Sequence, residues 1–185
     1  MADSSSQPIS QAILLVDGYN IIGAWADLIH IRDAQGLDSA RERLLAALAN
    51  YSAYQEYETW AVFDAYEQPT PASKDVITEH LSVHYTGFGQ TADSYIERAC
   101  ARFRNDVRKF TKRLIVATSD NVHRQTVIGY GAEGISALQL QNEVTSITQR
   151  VQHRQKSRKK RSARFIASLD PDTQNRLRKL SRGDS

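Results

Sequence analysis

The chain has 185 residues, 41% hydrophobic and 24% charged, with a formal net charge of +3, enough for one domain of ordinary size plus an appendage. Its single cysteine, Cys100, excludes an intrachain disulfide and a cysteine-built zinc site and fits a reducing compartment such as the cytoplasm. No apolar run approaches the length of a membrane span.

Residues 1–11 are polar and lack a basic segment followed by an apolar one, so they read as a disordered leader rather than a signal peptide. Ile13-Leu14-Leu15-Val16 is a continuous apolar run and predicts a buried strand, after which Asp17-Gly18-Tyr19-Asn20 turns the chain. Residues 38–55 predict a helix capped by Asp38 or Ser39, with Leu44, Leu45, Leu48, Tyr51 and Tyr54 along an apolar face. A second strand spans 58–63. Residues 66–75, with Pro69 and Pro71, read as a loop. A less regular strand lies around Leu81 to Tyr85, and Gly87 and Gly89 mark a turn. Residues 91–106 predict a helix with Thr91 as N-cap and Cys100 as a buried structural thiol. Then come a strand at 113–118 and helices at 121–129 and 136–149, the last capped by Ser136. Strands alternating with helices predict an α/β fold with a mainly parallel sheet covered on both faces. The expected division is a body at 12–149 and an extension at 150–185, which closes on a short helix opened by Asp170-Pro171.

Charge separates the same two parts. From Arg150 onward the chain carries twelve Lys/Arg and three acids, a net of +9, while the preceding residues sum to −6. An acidic body with a basic tail points to an anionic partner, nucleic acid first, with a merely solubilising tail as the plain alternative. The run 150–164 is either a solvated helical extension or disordered.

Three acids each directly follow an apolar strand-like run: Asp17, Asp64 and Asp120. In a parallel sheet the carboxyl ends of neighbouring strands share one edge, where ligands bind. Asp93 opens the helix at 91–106, with Glu97 one turn on along the same face. Taken singly, each acid has an ordinary role in a cap or turn. Crowded together, carboxylates repel one another unless a proton or cation intervenes, and a hard divalent ion suits oxygen ligands. Competing motifs fail. Gly129-Tyr130-Gly131-Ala132-Glu133-Gly134 matches G-x-G-x-x-G but follows a helix, so it reads as a turn between two helices rather than a nucleotide site. A P-loop and G-x-S-x-G are both absent, and Tyr19 stands where an aspartyl phosphatase needs its second acid. The five histidines show no metal-binding spacing. His123 is within reach of a phosphate at the sheet edge but reads by default as a surface residue. Tyr85 and Phe88 are placed to stack on a base, and Arg98 and Arg124 to touch RNA, with ordinary surface roles as the default.

Taken in order, Leu14-Leu15-Val16-Asp17-Gly18-Tyr19-Asn20-Ile21-Ile22, Ala40-Arg41-Glu42-Arg43-Leu44, Val62-Phe63-Asp64-Ala65, Thr91-Ala92-Asp93-Ser94-Tyr95-Ile96-Glu97 and Ala117-Thr118-Ser119-Asp120 resemble the YacP-type branch of the NYN/PIN-like ribonucleases. The resemblance covers roughly residues 13–150, and Leu169-Asp170-Pro171 resembles that family's C-terminal end. It implies a PIN-like α/β/α sandwich and a Mg²⁺- or Mn²⁺-dependent endoribonuclease acting on messenger RNA in association with the ribosome, with no nucleotide cofactor. Carried over by motif, the site is Asp17, Asn20, Asp93 and Asp120, with Asp64 and Glu97 in support. Asp17 and Asp120 are then ligands, Asp93 completes the cluster, and Asn20 orients the scissile phosphate or a water. Arg154, Lys156, Arg158, Lys159, Lys160, Arg161 and Arg164 are the candidate RNA-binding residues, in a basic run the family motifs do not account for. The rival readings are a non-catalytic RNA- or ribosome-binding adaptor and a metal-dependent phosphatase of small nucleotides.

Overall fold

The computed structural model describes residues 11–64 and 71–167. The polar leader up to Ser10, half of the 66–75 loop and the expected terminal helix after Asp170 fall outside them. The chain divides into two units, Met1–Thr145 and Ser146–Ser185.

In the first unit the order is β1 (Ala12–Asp17), α1 (Gly18–Ala24), α2 (Ala26–Gln35), α3 (Leu37–Gln55), β2 (Glu58–Phe63), β3 (Ser73–Thr78), β4 (Leu81–Tyr85), α4 (Ala92–Arg104), a 3-10 turn (Val107–Phe110), β5 (Arg113–Thr118), α5 (Asn121–Gly129) and β6 (Glu133–Ser136). The helix α6 (Ala137–Ala167) follows. Six strands form one sheet in the order β3-β4-β2-β1-β5-β6. All neighbours are parallel except β3, which runs antiparallel on β4.

The central strand β1 is buried at every position, as its unbroken apolar run predicts. Alternate residues feed opposite faces. Ile13 and Leu15 join Ile96 and Cys100 of α4 and Val127 of α5 in one core cluster. On the other face Phe63 lies beneath α1 and α3, with its ring 5.0 Å from that of Tyr19 and the Arg41 guanidinium 5.9 Å away. Trp25 Nε1 donates to the Ala137 carbonyl at 2.9 Å, and the Tyr51 hydroxyl donates to Glu143 Oε2 at 2.6 Å. This is the PIN-like layering of helices over both faces of a mixed, mainly parallel sheet. Cys100 is buried as expected, and burial, followed by the charge of Glu97, pushes its thiol up to about 12.

Two strands escape the sequence reading. β3 begins inside the expected loop, and all six of its residues are exposed, so it carries no apolar run to reveal it. β6 stands where a turn between two helices was expected. Gly131, at φ +93°, ends the connection from α5, and the next residues pair in parallel with β5. The second unit is helical through Ala167, the helical alternative for the basic run, and Arg154, Lys156 and Lys160 are exposed there.

Gly18 is where the β1 crossover meets β2. A Cβ at this position would fall within 2.6 Å of three carbons of the Phe63 ring, which is fully buried. Gly18→Ala is expected to destabilise the fold by about 1–3 kcal/mol in urea unfolding.

Candidate functional site

The chain leaves β1 toward β2 on one side and returns to β5 on the other, so the carboxyl end of β1 is the switch point of the sheet, where a parallel fold leaves a crevice. Asp17 ends β1 there and is only 3% exposed. It also caps α1. Its Oδ1 accepts from Asn20 N at 3.1 Å, and its Oδ2 accepts from Asn20 Nδ2 at 2.7 Å. Asn20 is itself fixed, because its Oδ1 accepts from Ser119 Oγ, at the end of β5, at 2.6 Å. That bond sets the amide so that its NH₂ faces Asp17.

Asp93 comes from the first turn of α4, where the helix dipole favours an anion. Three contacts set the start of α4. Thr91 and Ser94 form a capping box. The Asp64 carboxylate accepts from the backbone N of Ala92. Tyr95 meets His84 Nδ1 at 2.7 Å. His84 is stacked on Trp60 and bonded through Nε2 to Ser82 Oγ at 2.9 Å. Burial lowers its pKa to about 4, with Lys74 adding to the effect, so it stays neutral as a packing residue.

Asp17, Asp93 and His123 present ligand atoms that all lie within 4.8 Å of one another. The surface reading of His123 is corrected. It sits three residues into α5 with a side chain 3% exposed, and its Nδ1 is 2.8 Å from Asp93 Oδ1. Asp93 Oδ1 and both ring nitrogens of His123 are buried without a hydrogen-bond partner among the described residues. The clue in the sequence is its place one turn after a strand-end cap, which aims the third helical residue back over the sheet edge.

The other acids at this edge lie outside that group. Asp120 caps α5, its Oδ1 accepting from Val122 N at 2.7 Å and from His123 N at 3.1 Å. Asp64 is engaged at the start of α4. Glu97 lies one turn beyond Asp93, near Cys100. Each therefore stands beside the cluster, Asp64 and Asp120 holding backbone at a helix start and Glu97 bordering the core. Phe88 is 70% exposed and Tyr85 is half-buried, with its ring 6.0 Å from that of Phe63.

Burial pushes Asp17 up to about 6 from an ordinary 3.8, against the lowering effect of the two Asn20 hydrogen bonds and with the neighbouring Asp93 adding to the rise. The Asp17 carboxyl thus ionises only at a cost beside Asp93, next to an imidazole whose nitrogens lack a hydrogen-bond partner among the described residues. Such a donor set fits a divalent cation, whose charge offsets the repulsion and whose coordination satisfies the orphaned atoms.

The sequence model of the YacP-like NYN domain family matches residues 14–182. The protein YacP of Bacillus subtilis (strain 168) is 34% identical over 174 residues, which is 93% of this chain and 98% of that protein. Crystal structures of Rae1 (YacP) from Bacillus subtilis are similar as well. One is 30% identical with a TM-score of 0.66, covering 93% of this chain and 95% of that one. A mutant form is 29% identical with a TM-score of 0.68, covering 91% and 99%.

The raised carboxyl has a defined sign. Without metal, the proton on Asp17 stabilises the fold at low pH, and that contribution is lost as pH rises through about 6. In chelator, wild type should therefore lose roughly 2–3 kcal/mol relative to Asp17→Asn between about pH 4 and pH 7, read from urea unfolding of both proteins.

Proposed function

The chain belongs to the YacP-like NYN domain family, a PIN-like nuclease family, and from that premise we propose that it is a divalent-metal-dependent endoribonuclease hydrolysing phosphodiester bonds of messenger RNA in association with the ribosome. The observation that carries this reading is the grouping of Asp17, Asp93 and His123 at the switch point of the sheet, with Asp17 and His123 buried, Asp93 half-buried, and Asp93 Oδ1 and both His123 nitrogens without a hydrogen-bond partner among the described residues.

Asp17, Asp93 and His123 would hold the ion, Mg²⁺ or Mn²⁺. When bound, such an ion supplies charge neutralisation at phosphate and lowers the pKa of an attacking water. Asn20 locks the rotamer of Asp17 so that its carboxylate faces the crevice, and Ser119 keeps the Asn20 amide from flipping. Asp64 and Asp120 act one step back. The first anchors the backbone beside Asp93 and the second anchors the backbone of His123, so each is a positioning residue for a neighbour. Glu97 has a supporting place on the Asp93 face of α4.

RNA is the substrate this reading favours over a small nucleotide, because the basic extension offers a long anionic partner a second grip. Of its seven candidate residues, Arg154, Lys156 and Lys160 are exposed, and Arg158, Lys159, Arg161 and Arg164 belong to the same helix α6. Among the described residues no helix is long and apolar enough to cross a membrane. The buried lone thiol accords with action in the cytoplasm.

Purified protein is expected to cleave RNA with Mn²⁺ or Mg²⁺, and Asp17→Asn or Asp93→Asn to lower the rate about 100-fold or more, while Asn20→Ala costs about 10–100-fold. Equal cleavage by wild type and Asp17→Asn would overturn the assignment, and RNA binding without any cleavage would favour a non-catalytic adaptor. Parallel assays with and without translating ribosomes decide where the substrate is met. Replacing Arg154, Lys156 and Lys160 with Gln should weaken RNA binding and flatten the slope of log affinity against log salt by about 2.

A further inference from the structure

A site meant for Mg²⁺ alone would be lined by oxygen, yet one of the three grouped donors here is an imidazole. We infer that His123 makes this centre selective for a first-row transition ion, Mn²⁺ above Mg²⁺. The inference rests on the metal-dependent reading above and specifies which ion the site takes.

The protein contains its own control. Two histidines are buried in the described structure, His84 at 5% and His123 at 4% exposure. His84 is a satisfied core residue, with Nε2 against Ser82 Oγ at 2.9 Å and Nδ1 against the Tyr95 hydroxyl at 2.7 Å. His123 has no such arrangement. Among the described residues both its ring nitrogens lack a hydrogen-bond partner, although Nδ1 stands 2.8 Å from Asp93 Oδ1. Its backbone N is held by Asp120, so the ring is carried to this place by the first turn of α5 and not by chance packing. Burying an imidazole with two unmet nitrogens is unfavourable, and native cores seldom leave it so without a ligand. Coordination would satisfy a ring nitrogen of His123 and Asp93 Oδ1 together.

The chemistry of that donor set favours one class of ion. Mg²⁺ prefers oxygen, demands near-ideal octahedral geometry and gives up its waters reluctantly. An imidazole adds little to its binding. First-row transition ions gain from nitrogen, and two carboxylates beside one imidazole keep enough oxygen character for Mn²⁺. Replacing His123 by a carboxylate should return the site to the all-oxygen kind and shrink the preference.

The test is calorimetric titration of metal-stripped full-length protein with Mn²⁺ and with Mg²⁺, for wild type, His123→Asp, His123→Gln and Asp17→Asn, each checked for folding by circular dichroism. Pulsed electron paramagnetic resonance of the Mn²⁺ complex supplies a second readout. Wild type is expected to bind Mn²⁺ roughly tenfold or more tightly than Mg²⁺ and to show nitrogen coupling to the ion. His123→Asp should lose the nitrogen coupling and bring the two affinities within about threefold, while His123→Gln loses the coupling and weakens Mn²⁺. Equal affinities in wild type, or Mn²⁺ bound without nitrogen coupling, overturn the inference. If affinities are equal while RNA is still cleaved and Asp17→Asn abolishes cleavage, only the ion selectivity falls. If Mn²⁺ binds selectively with nitrogen coupling and no RNA is cut, the selectivity stands and the nuclease reading falls.

Discussion

A carboxylate buried at the end of the central strand sets the terms for everything around it. Asp17 is almost wholly withdrawn from water, and the two hydrogen bonds it accepts from Asn20 do not cancel the cost of taking its charge out of solvent. With Asp93 adjacent, that cost grows. A fold keeps such an arrangement when something outside the chain is meant to complete it. The sheet order makes the placement unavoidable, since β1 lies between β2 and β5 and its carboxyl end opens onto the one gap where the chain departs in both directions.

Around this carboxylate, the polar groups work in pairs of neighbours. Asp64 grips Ala92, and Asp93 is the next residue; Asp120 grips His123 by its backbone, and the same residue turns its ring inward. Ser119 holds Asn20, which holds Asp17. Each donor to the cluster is thus set by a second polar residue on a different element or at a helix cap. Preorganisation of this kind places side chains more finely than packing alone, because a capped helix start has its first-turn backbone fixed.

How much of this could be read from residues alone follows from where the signals lie. β1, β2 and β5 are apolar runs buried on both faces, and such runs announce themselves. Thr91 marks the start of α4 through ordinary capping chemistry, and the structure completes it with Ser94 in a capping box. The edge elements were hidden for the opposite reason: β3 is exposed at every residue, and β6 is a four-residue strand whose sequence, Glu133-Gly134-Ile135-Ser136, holds one apolar side chain. The acids at the sheet edge were legible as a group, but not their division of labour. Whether Asp120 points to a cluster or back to its own helix depends on a single side-chain torsion, which spacing does not encode. His123 reads by default as a surface residue, since its place after a strand-end cap hints at the sheet edge but not at burial, and the structure shows it buried with its Nδ1 2.8 Å from Asp93 of α4.

The grouping of Asp17, Asp93 and His123 also has a temporal side. Its three parts come from β1, α4 and α5, widely separated along the polypeptide, and β5 must slot in beside β1 before α5 can deliver the imidazole. Non-local pairings of this sort form late. A growing polypeptide that has emerged only as far as α4 possesses two carboxylates and no third donor. The grouping of all three donors is therefore complete only once α5 is in place, near the close of synthesis of the body.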